Sequence, residues 1–296
     1  MLIVSTNVSE HVAARNNSQS MTYPIKKRQL CSALFLCLIT LLLSAGIASA
    51  ERLPAKARST VSAGGVNCYA QGEVQTATVA KVVDGDTVHF ADGRKVRLIG
   101  VNTPELDHKY GRHQAYALAA KTWLQPLQGQ RVYYQAGIDK RDRYGRYLYY
   151  LFDKDRISLS SQLLSKGLGY RIAIPPNVAY QDCLAQAEAL ARSQQRGVWQ
   201  HRLQWQPQAG FVMARVTLTS ITRNRGGWWL ETNQNLVINI PSYVADLWST
   251  RDVFKLEGRL VEARGWQHPR TKRKPAETLW VWQVKHPNDL LTIEQD

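Results

Sequence analysis

The chain has 296 residues and a formal net charge of +15, from 38 Lys and Arg against 23 Asp and Glu. This length allows more than one domain with a buried core. The surplus of positive charge argues against cationic partners and favours polyanions. Charge alone does not distinguish nucleic acid from an anionic membrane surface. Residues 1–50 hold four Lys or Arg and one Glu, so their removal lowers the net charge by three, from +15 to +12.

The N-terminal segment, residues 1–50, has the pattern of an extension followed by an export signal. Lys26-Lys27-Arg28 precedes an apolar run over residues 30–45, and Ala48-Ser49-Ala50 is a small-residue cleavage site before Glu51. We therefore expect a periplasmic or secreted protein. The uncharged run over residues 30–50 is also long enough to span a bilayer, so an uncleaved membrane anchor remains an alternative.

Two cysteines, Cys68 and Cys183, remain after removal of the signal. Residues 51–73 are predicted to be a flexible lead-in. An even pair of thiols in an oxidising compartment favours a disulfide between this lead-in and a later helix. The alternative is that Cys183 is a small buried residue and Cys68 a free thiol, since spacing alone does not set pairing.

The middle of the chain is predicted to contain short strands and three helices. The alternating or β-branched runs predict strands over residues 76–83, 87–90, 95–101, 131–135 and 147–152. Apolar periodicity and glycine stops predict helices over residues 110–127 and 159–166, and a third that starts after Asn177 as N-cap and ends near residue 195.

Three polar motifs fall on the ends and turns of these strands. They are Asp84-Gly85-Asp86-Thr87, then Arg97 to Glu105 with Asn102-Thr103-Pro104-Glu105 at its end, then Asp142-Arg143-Tyr144-Gly145-Arg146. Carboxylates hold a hard cation through oxygen, a further carboxylate activates water, and arginines grip phosphate by forked hydrogen bonds. An Asp-Gly-Asp-Thr run alone is more often a β-turn. Their order and setting favour a phosphodiester-cleaving site.

These blocks resemble the staphylococcal nuclease family, in the family's order, from about residue 76 to residue 199. The resemblance implies a five-stranded OB barrel with three helices over residues 74–203. It also implies a nuclease that uses calcium and acts on DNA, RNA or both. We expect a monomer with no obligate protein partner.

The resemblance also implies a role for each matching residue. Asp86, Asn102 and the backbone carbonyl of Thr103 would hold calcium. Glu105 would be the general base, and Arg97 and Arg146 would stabilise charge on the phosphoryl group. Substrate contacts are expected from three residues of the last motif and its approach: Lys140, Arg143 and Tyr144.

Asn102 departs from the family's pattern, which has a second aspartate there. An amide oxygen coordinates calcium but brings no charge, so this position is expected to weaken the attraction for a divalent cation.

A smaller, mostly-β domain is predicted over residues 210–296, after a polar connector that contains Pro207 and Gly210. Strands are expected over residues 211–222, 228–231, 236–240, 253–262 and 279–285, with a short helix over 241–248, an order compatible with a second OB-like barrel. A predicted hairpin loop combines aromatic and basic residues: Arg264, Trp266, Arg270, Lys272, Arg273 and Lys274. It would contact nucleic acid, or else be an ordinary solvated turn.

Two function classes follow from these patterns. One is an exported calcium-dependent nuclease with an accessory domain, and the other a non-catalytic nucleic-acid-binding protein. A general base opposite two arginines favours the enzyme, since a binding module has no use for it. A membrane-tethered adaptor is a third reading that rests on the hydrophobic N-terminus.

Overall fold

The computed structural model describes residues 59–62, 65–271 and 278–293. The predicted extension and signal over residues 1–50 lie outside the described residues, as does part of the lead-in. All described residues belong to one compact unit, Ala55–Asp296. No helix within the described ranges has the length and apolar character needed to cross a membrane.

The first half of this unit contains nine strands. In chain order they are β1 Ser59–Ser62, β2 Gly65–Cys68, β3 Gln75–Val82, β4 Thr87–Phe90, β5 Lys95–Leu98, β6 Val101–Asn102, β7 Arg131–Arg141, β8 Tyr147–Phe152 and β9 Tyr170–Arg171. β1 pairs with β2, and β6 pairs with β9. The other five form a closed barrel in the order β3-β4-β5-β8-β7, in which β5 and β8 run parallel.

Alternation of apolar residues builds the barrel core, because successive side chains in a strand point to opposite faces. Val88 and Phe90 of β4 and Val96 and Leu98 of β5 are buried in one core cluster. The residues of the polar motifs stand at the ends of these same strands. The predicted five-stranded barrel is thus present, with β7 six residues longer at its end than expected.

The three helices of this half are α1 Ala117–Leu124, α2 Leu159–Ser165 and α3 Gln181–Ser193. The prediction of a helix from residue 110 was wrong at its start, because Gly111 and Tyr116 have positive φ angles of 70° and 67°. The prediction of Asn177 as N-cap was also wrong. Its side chain instead hydrogen-bonds the backbone of Asp139, and α3 begins four residues later.

Cys68 at the end of β2 and Cys183 in α3 form a disulfide. Both side chains are buried in the barrel's core cluster. The bond fastens the hairpin of β1 and β2 to the last helix of this half. Of the two alternatives left open by the sequence, the bonded pair is confirmed.

The second half of the unit has a sheet of six strands and one short helix: β10 Gly210–Asn224, β11 Gly227–Thr232, β12 Leu236–Pro241, α4 Thr250–Phe254, β13 Leu260–Thr271, β14 Thr278–Gln283 and β15 Leu290–Thr292. β10 pairs with both β11 and β13, so β10-β11-β12-β14-β13 follow one another in a ring. β12 and β14 are parallel, which repeats the order of the first barrel. This sheet has its own apolar core.

Two predictions for this half need correction. Residues 250–254 are helical and β13 begins at Leu260, so the strand expected from residue 253 was wrong at its start. The helix expected over residues 241–248 is a 3₁₀ helix, Ser242–Leu247. Separate domains over residues 74–203 and 210–296 stay a prediction, because both ranges lie in one compact unit.

The predicted basic hairpin loop was also wrong in part. Arg264 and Trp266 lie within β13, and Arg264 is only 2% exposed. Its Nη1 donates to both carboxylate oxygens of Glu188 in α3, at 2.7 and 2.8 Å. Arg270 is exposed near the end of β13, and Lys272, Arg273 and Lys274 lie outside the described residues.

Arg264 belongs to a cluster of charges between the barrel half and the second sheet. Arg192 of α3 forms two hydrogen bonds of 2.6 Å with Glu262 of β13. Nη1 of Arg171 in β9 lies 3.8 Å from Asp289 Oδ1, and Nη2 of the same residue donates a hydrogen bond to the Asn288 carbonyl. Buried charges are tolerated when paired, so this cluster fixes the second sheet against the barrel.

Candidate active site

Asp86 is the buried centre of the first motif. It follows the turn between β3 and β4, where Asp84 Oδ1 accepts a hydrogen bond from the Asp86 backbone N–H at 3.0 Å. Gly85 is needed in this turn, since a Cβ there would lie 2.5 Å from the Ala120 side chain and 2.7 Å from Thr103 Oγ1. The chain therefore holds the carboxylate of Asp86 against the second motif.

The Asp86 carboxylate is bound by the second motif on one oxygen. Its Oδ2 accepts hydrogen bonds from the Thr103 backbone N–H at 2.8 Å and from Thr103 Oγ1 at 3.1 Å. Its Oδ1 accepts from Thr87 Oγ1 at 3.1 Å. Asp86 and Thr103 are thus in contact through the N–H and hydroxyl of Thr103, while a calcium-binding role for its carbonyl stays a prediction.

Arg97 of β5 lies between the side chains expected to hold a cation. Its Nη2 is 3.0 Å from Asp86 Oδ2 and donates to Asn102 Oδ1 at 2.9 Å. Its Nη1 donates to the Leu98 and Val101 carbonyls at 2.6 and 2.8 Å. Only 10% of the Arg97 side chain is exposed, so its guanidinium is engaged inside the protein.

Glu105 lies at the edge of this group, with an exposed side chain. Its backbone N–H donates to Gln114 Oε1 at 2.8 Å, which fixes the loop after the second motif. Partial shielding of its carboxyl from water raises its pKa, and so do the negative charges of Asp86 and Asp84, while Arg97 and Arg146 lower it. The Glu105 carboxyl therefore lies within the electrostatic influence of the acidic and the basic residues of the site.

Arg146 approaches the same group from the turn between β7 and β8. Asp142 orients it, because Arg146 Nε donates to Asp142 Oδ2 at 2.7 Å. Arg146 Nη1 then reaches Thr87 Oγ1 at 3.3 Å, and Thr87 is itself bonded to Asp86. The Arg146 side chain is 29% exposed, so part of the guanidinium remains open to a ligand.

The predicted substrate-binding residues lie in and beside the same turn. Tyr144 is 68% exposed. Its ring has the Arg143 guanidinium at 4.7 Å and the Arg146 guanidinium at 5.5 Å from its centroid. Lys140 is exposed on β7. Tyr144 and Arg143 are therefore next to the site, while the role of Lys140 stays a prediction.

The donor atoms at this site are oxygens, the type that a hard cation binds. Asp86 Oδ2 and Asn102 Oδ1 both approach the same nitrogen of Arg97, so these oxygens converge on one point, which oxygen-seeking cations require. In the structure the Arg97 guanidinium occupies that point. Within the described ranges there is no group of three or more His, Cys, Asp or Glu side chains arranged to hold a metal, and Asn102 takes a place where a carboxylate was expected.

Two residues of this site, Asp84 and Thr87, were not among the predicted site residues. The charge of Asp84 raises the pKa of Glu105. Its own pKa is raised by burial and by Asp86. Thr87 connects Arg146 to Asp86. Both lie in the first motif, so the signal was present, but the pairing of Thr87 with Arg146 depends on barrel closure.

The chain matches the family model for staphylococcal nuclease homologues over residues 95–201. It is 35% identical to a thermonuclease of Staphylococcus intermedius over 126 residues, which cover 41% of this chain and 74% of that protein. It is 32% identical to a thermonuclease of Staphylococcus hyicus, covering 42% and 76%. It is 28% identical to an uncharacterized endonuclease of Escherichia coli O157:H7, covering 41% and 74%. Together with the barrel and the three motifs, these matches show that the chain belongs to the staphylococcal nuclease family.

Proposed function

We propose that this protein is an exported, calcium-dependent nuclease that hydrolyses phosphodiester bonds of DNA, RNA or both. The observation that carries the proposal is one connected group: Arg97 contacts Asp86 and Asn102, and Arg146 reaches Asp86 through Thr87. The charges of Asp86, Arg97 and Arg146 all act on Glu105. The relatives named thermonuclease and endonuclease support the same reaction class.

Glu105 is the proposed general base. Its carboxyl is exposed at the edge of the cluster, where it accepts a proton from a water molecule that attacks the phosphorus. Its raised pKa makes it a stronger base than an isolated glutamate. Arg146 has part of its guanidinium exposed and meets the negative charge that grows on the phosphoryl oxygens.

Asp86, Asn102 and the Thr103 carbonyl would hold calcium, which supplies Lewis-acid polarisation of the phosphoryl group when bound. Arg97 is proposed to act in part through these residues. It is bonded to Asp86 and Asn102 and to two backbone carbonyls, so it orients the donor oxygens as well as adding positive charge. Among the two arginines, Arg146 is thus the better placed for direct phosphate contact.

The runner-up function is a non-catalytic nucleic-acid-binding protein. Two observations favour it: Asn102 brings no charge to the cation site, and the Arg97 guanidinium already lies between the donor oxygens. Positive net charge and the exposed pair of Tyr144 and Arg143 would serve binding without turnover.

One experiment separates the two functions. The purified protein is incubated with single-stranded DNA and with single-stranded RNA, in calcium or in chelator, and the new ends are mapped. The nuclease proposal requires cleavage in calcium that the chelator abolishes. Retention of intact strands on the protein in both conditions would favour the binding protein.

Export is proposed from the segment before Glu51. Mass spectrometry of the protein recovered outside the cytoplasm tests it, with Glu51 expected at or near the N-terminus. Recovery of an intact N-terminal segment in the membrane fraction would instead support an anchored protein.

A further inference from the structure

A cavity of about 450 Å³ continues from the candidate active site onto the second sheet. Asn102, Thr103 and Glu105 of the barrel half line it, and so do Phe211 and Trp266 of the second sheet. The volume lies within the range of ligand-binding pockets. Glu105 and two of the predicted calcium ligands therefore share a cavity with a part of the chain that the family match over residues 95–201 does not include.

One side of this cavity is a row of aromatic rings. Tyr170 of β9 lies 5.5 Å from Phe211 of β10, and Phe211 lies 5.2 Å from Trp266 of β13, between ring centroids. Each of these three side chains is half-buried, so each ring keeps an accessible part where it lines the cavity. Accessible aromatic faces beside a charged centre favour stacking with planar, unsaturated groups.

The connector over residues 201–210 forms the rim and is held in place. Gln267 of β13 is buried, and its Nε2 donates to the Gln206 carbonyl at 2.6 Å and to the Gln208 carbonyl. Its Oε1 accepts a hydrogen bond from Trp205 Nε1 at 2.9 Å. The predicted polar connector is thus held in one position by hydrogen bonds to the second sheet, where it lines the cavity.

The chemistry of the lining selects the kind of ligand. Glu105 is the one acidic residue in it, whereas Arg202 and His201 stand on the rim. Exposed amide side chains also line it: Gln204, Gln206 and Gln208. Amides pair with the hydrogen-bonding edges of bases. A lining of rings, amides and a cation suits a nucleobase with its phosphate better than an aliphatic chain.

We propose that this cavity binds one unpaired nucleobase of the substrate strand, next to the phosphodiester cut at Glu105. The proposal rests on the proposed nuclease function, whose scissile phosphate would lie at the cavity's entrance. A base within a duplex is paired and stacked, so it enters such a cavity only after leaving the helix. The second sheet would therefore help to select single-stranded substrate.

The test uses the full chain and a single-stranded oligonucleotide that carries 2-aminopurine, whose fluorescence falls when the base stacks. Binding is titrated in chelator, and kcat and KM for cleavage of the same strand are measured in calcium. The variants are Phe211→Leu, which removes a ring, and Ala209→Glu, which puts a negative charge on the exposed rim. Phe254→Leu is the matched control, because Phe254 is a 49% exposed ring of the second half that does not line the cavity.

We expect the parent and Phe254→Leu to quench the fluorescence alike. Both cavity variants should bind about 5-fold to 100-fold more weakly, from the worth of one stacked base, with a similar rise in KM. A duplex of the same sequence should not compete with the single-stranded oligonucleotide for binding. If the cavity variants bind more weakly than the parent but the parent never cleaves, the cavity proposal stands and the nuclease proposal is wrong. If the parent cleaves, while folded Phe211→Leu and Ala209→Glu bind as the parent does, the cavity proposal is wrong and the nuclease stands.

Discussion

Arg97 donates a hydrogen bond from Nη2 to Asn102 Oδ1 over 2.9 Å. The same nitrogen lies 3.0 Å from Asp86 Oδ2, so one positive group joins the two side chains proposed to hold calcium. An aspartate at position 102 would keep this geometry and add one negative charge. The amide therefore has a testable effect on cation binding.

Asn102→Asp should lower the calcium concentration needed for half-maximal activity, because a carboxylate attracts a divalent cation more strongly than an amide. The measurement is a calcium titration of cleavage by parent and variant. Asn239→Asp, at a buried amide of the second sheet, is the control for a general effect of added charge. An unchanged or higher calcium requirement in Asn102→Asp would mean that residue 102 is not a ligand.

The two arginines should differ in their effect on stability. Arg97→Met leaves the buried Asp86 carboxylate without its cationic partner, a change that usually costs about 3 to 5 kcal/mol. Arg146→Met should cost much less, because Arg146 and Asp142 are partly exposed. Urea unfolding of both variants measures the difference. Equal losses would show that Arg97 is not held as the structure has it.

The contact between the barrel and the second sheet should depend on the buried charge pair of Arg264 and Glu188. Arg264→Met leaves Glu188 underpaired in the interior and is expected to lower the free energy of unfolding by about 3 to 5 kcal/mol. The double variant Arg264→Met with Glu188→Met should recover much of this loss. A double variant that is worse than the sum of the single changes would contradict the account.

Asp289 predicts a specific pH dependence of stability. Burial raises its pKa to about 7, against 3.8 in an exposed carboxyl, and Arg171 and Arg264 only partly offset this. The folded protein then holds a proton that the unfolded chain has lost, so the contribution of Asp289 is largest below pH 3.8 and is lost as pH rises through about 7. Urea unfolding between these values should show Asp289→Asn gaining on the parent as pH rises. A difference independent of pH would reject the assignment.

The disulfide should be a large contributor to stability. Cys68 and Cys183 are 115 residues apart, and closing a loop of that length is worth about 4 to 5 kcal/mol in the chain-entropy model. The variant with both residues changed to alanine, unfolded in urea beside the parent, measures this. Parent protein treated with reductant under mild denaturation should approach the variant. Loss of less than about 1 kcal/mol would show that the constraint acts little on the unfolded chain.

The sequence predicted those parts of the fold that depend on local pattern. The strands over residues 87–90 and 147–152 match in both ends, since alternation and turn residues define them. Asn177 had the right residue type for an N-cap, yet a backbone contact with Asp139 on a distant strand claims its side chain. Local propensity does not include contacts between residues this far apart in the sequence.

The candidate site shows the same division. Asp86, Asn102, Thr103 and Glu105 were predicted as site residues because they lie in short motifs. The position of Arg97 between two of them, and the bond of Arg146 to Thr87, follow from barrel closure between strands far apart in sequence. The prediction that Arg264 lies in a loop was wrong. A basic residue near a tryptophan occurs both in nucleic-acid-binding loops and in buried ion pairs, and only the position of its partner Glu188 distinguishes the two.

The most direct test of the account is the single-turnover rate at which Glu105→Gln cleaves single-stranded DNA in calcium, compared with the parent. Glutamine keeps the size of the side chain but does not accept the proton, so we predict a rate about 10²- to 10⁴-fold lower. Circular dichroism and separately measured strand binding should be unchanged. Cleavage by Glu105→Gln as fast as by the parent would contradict the proposal that Glu105 activates water.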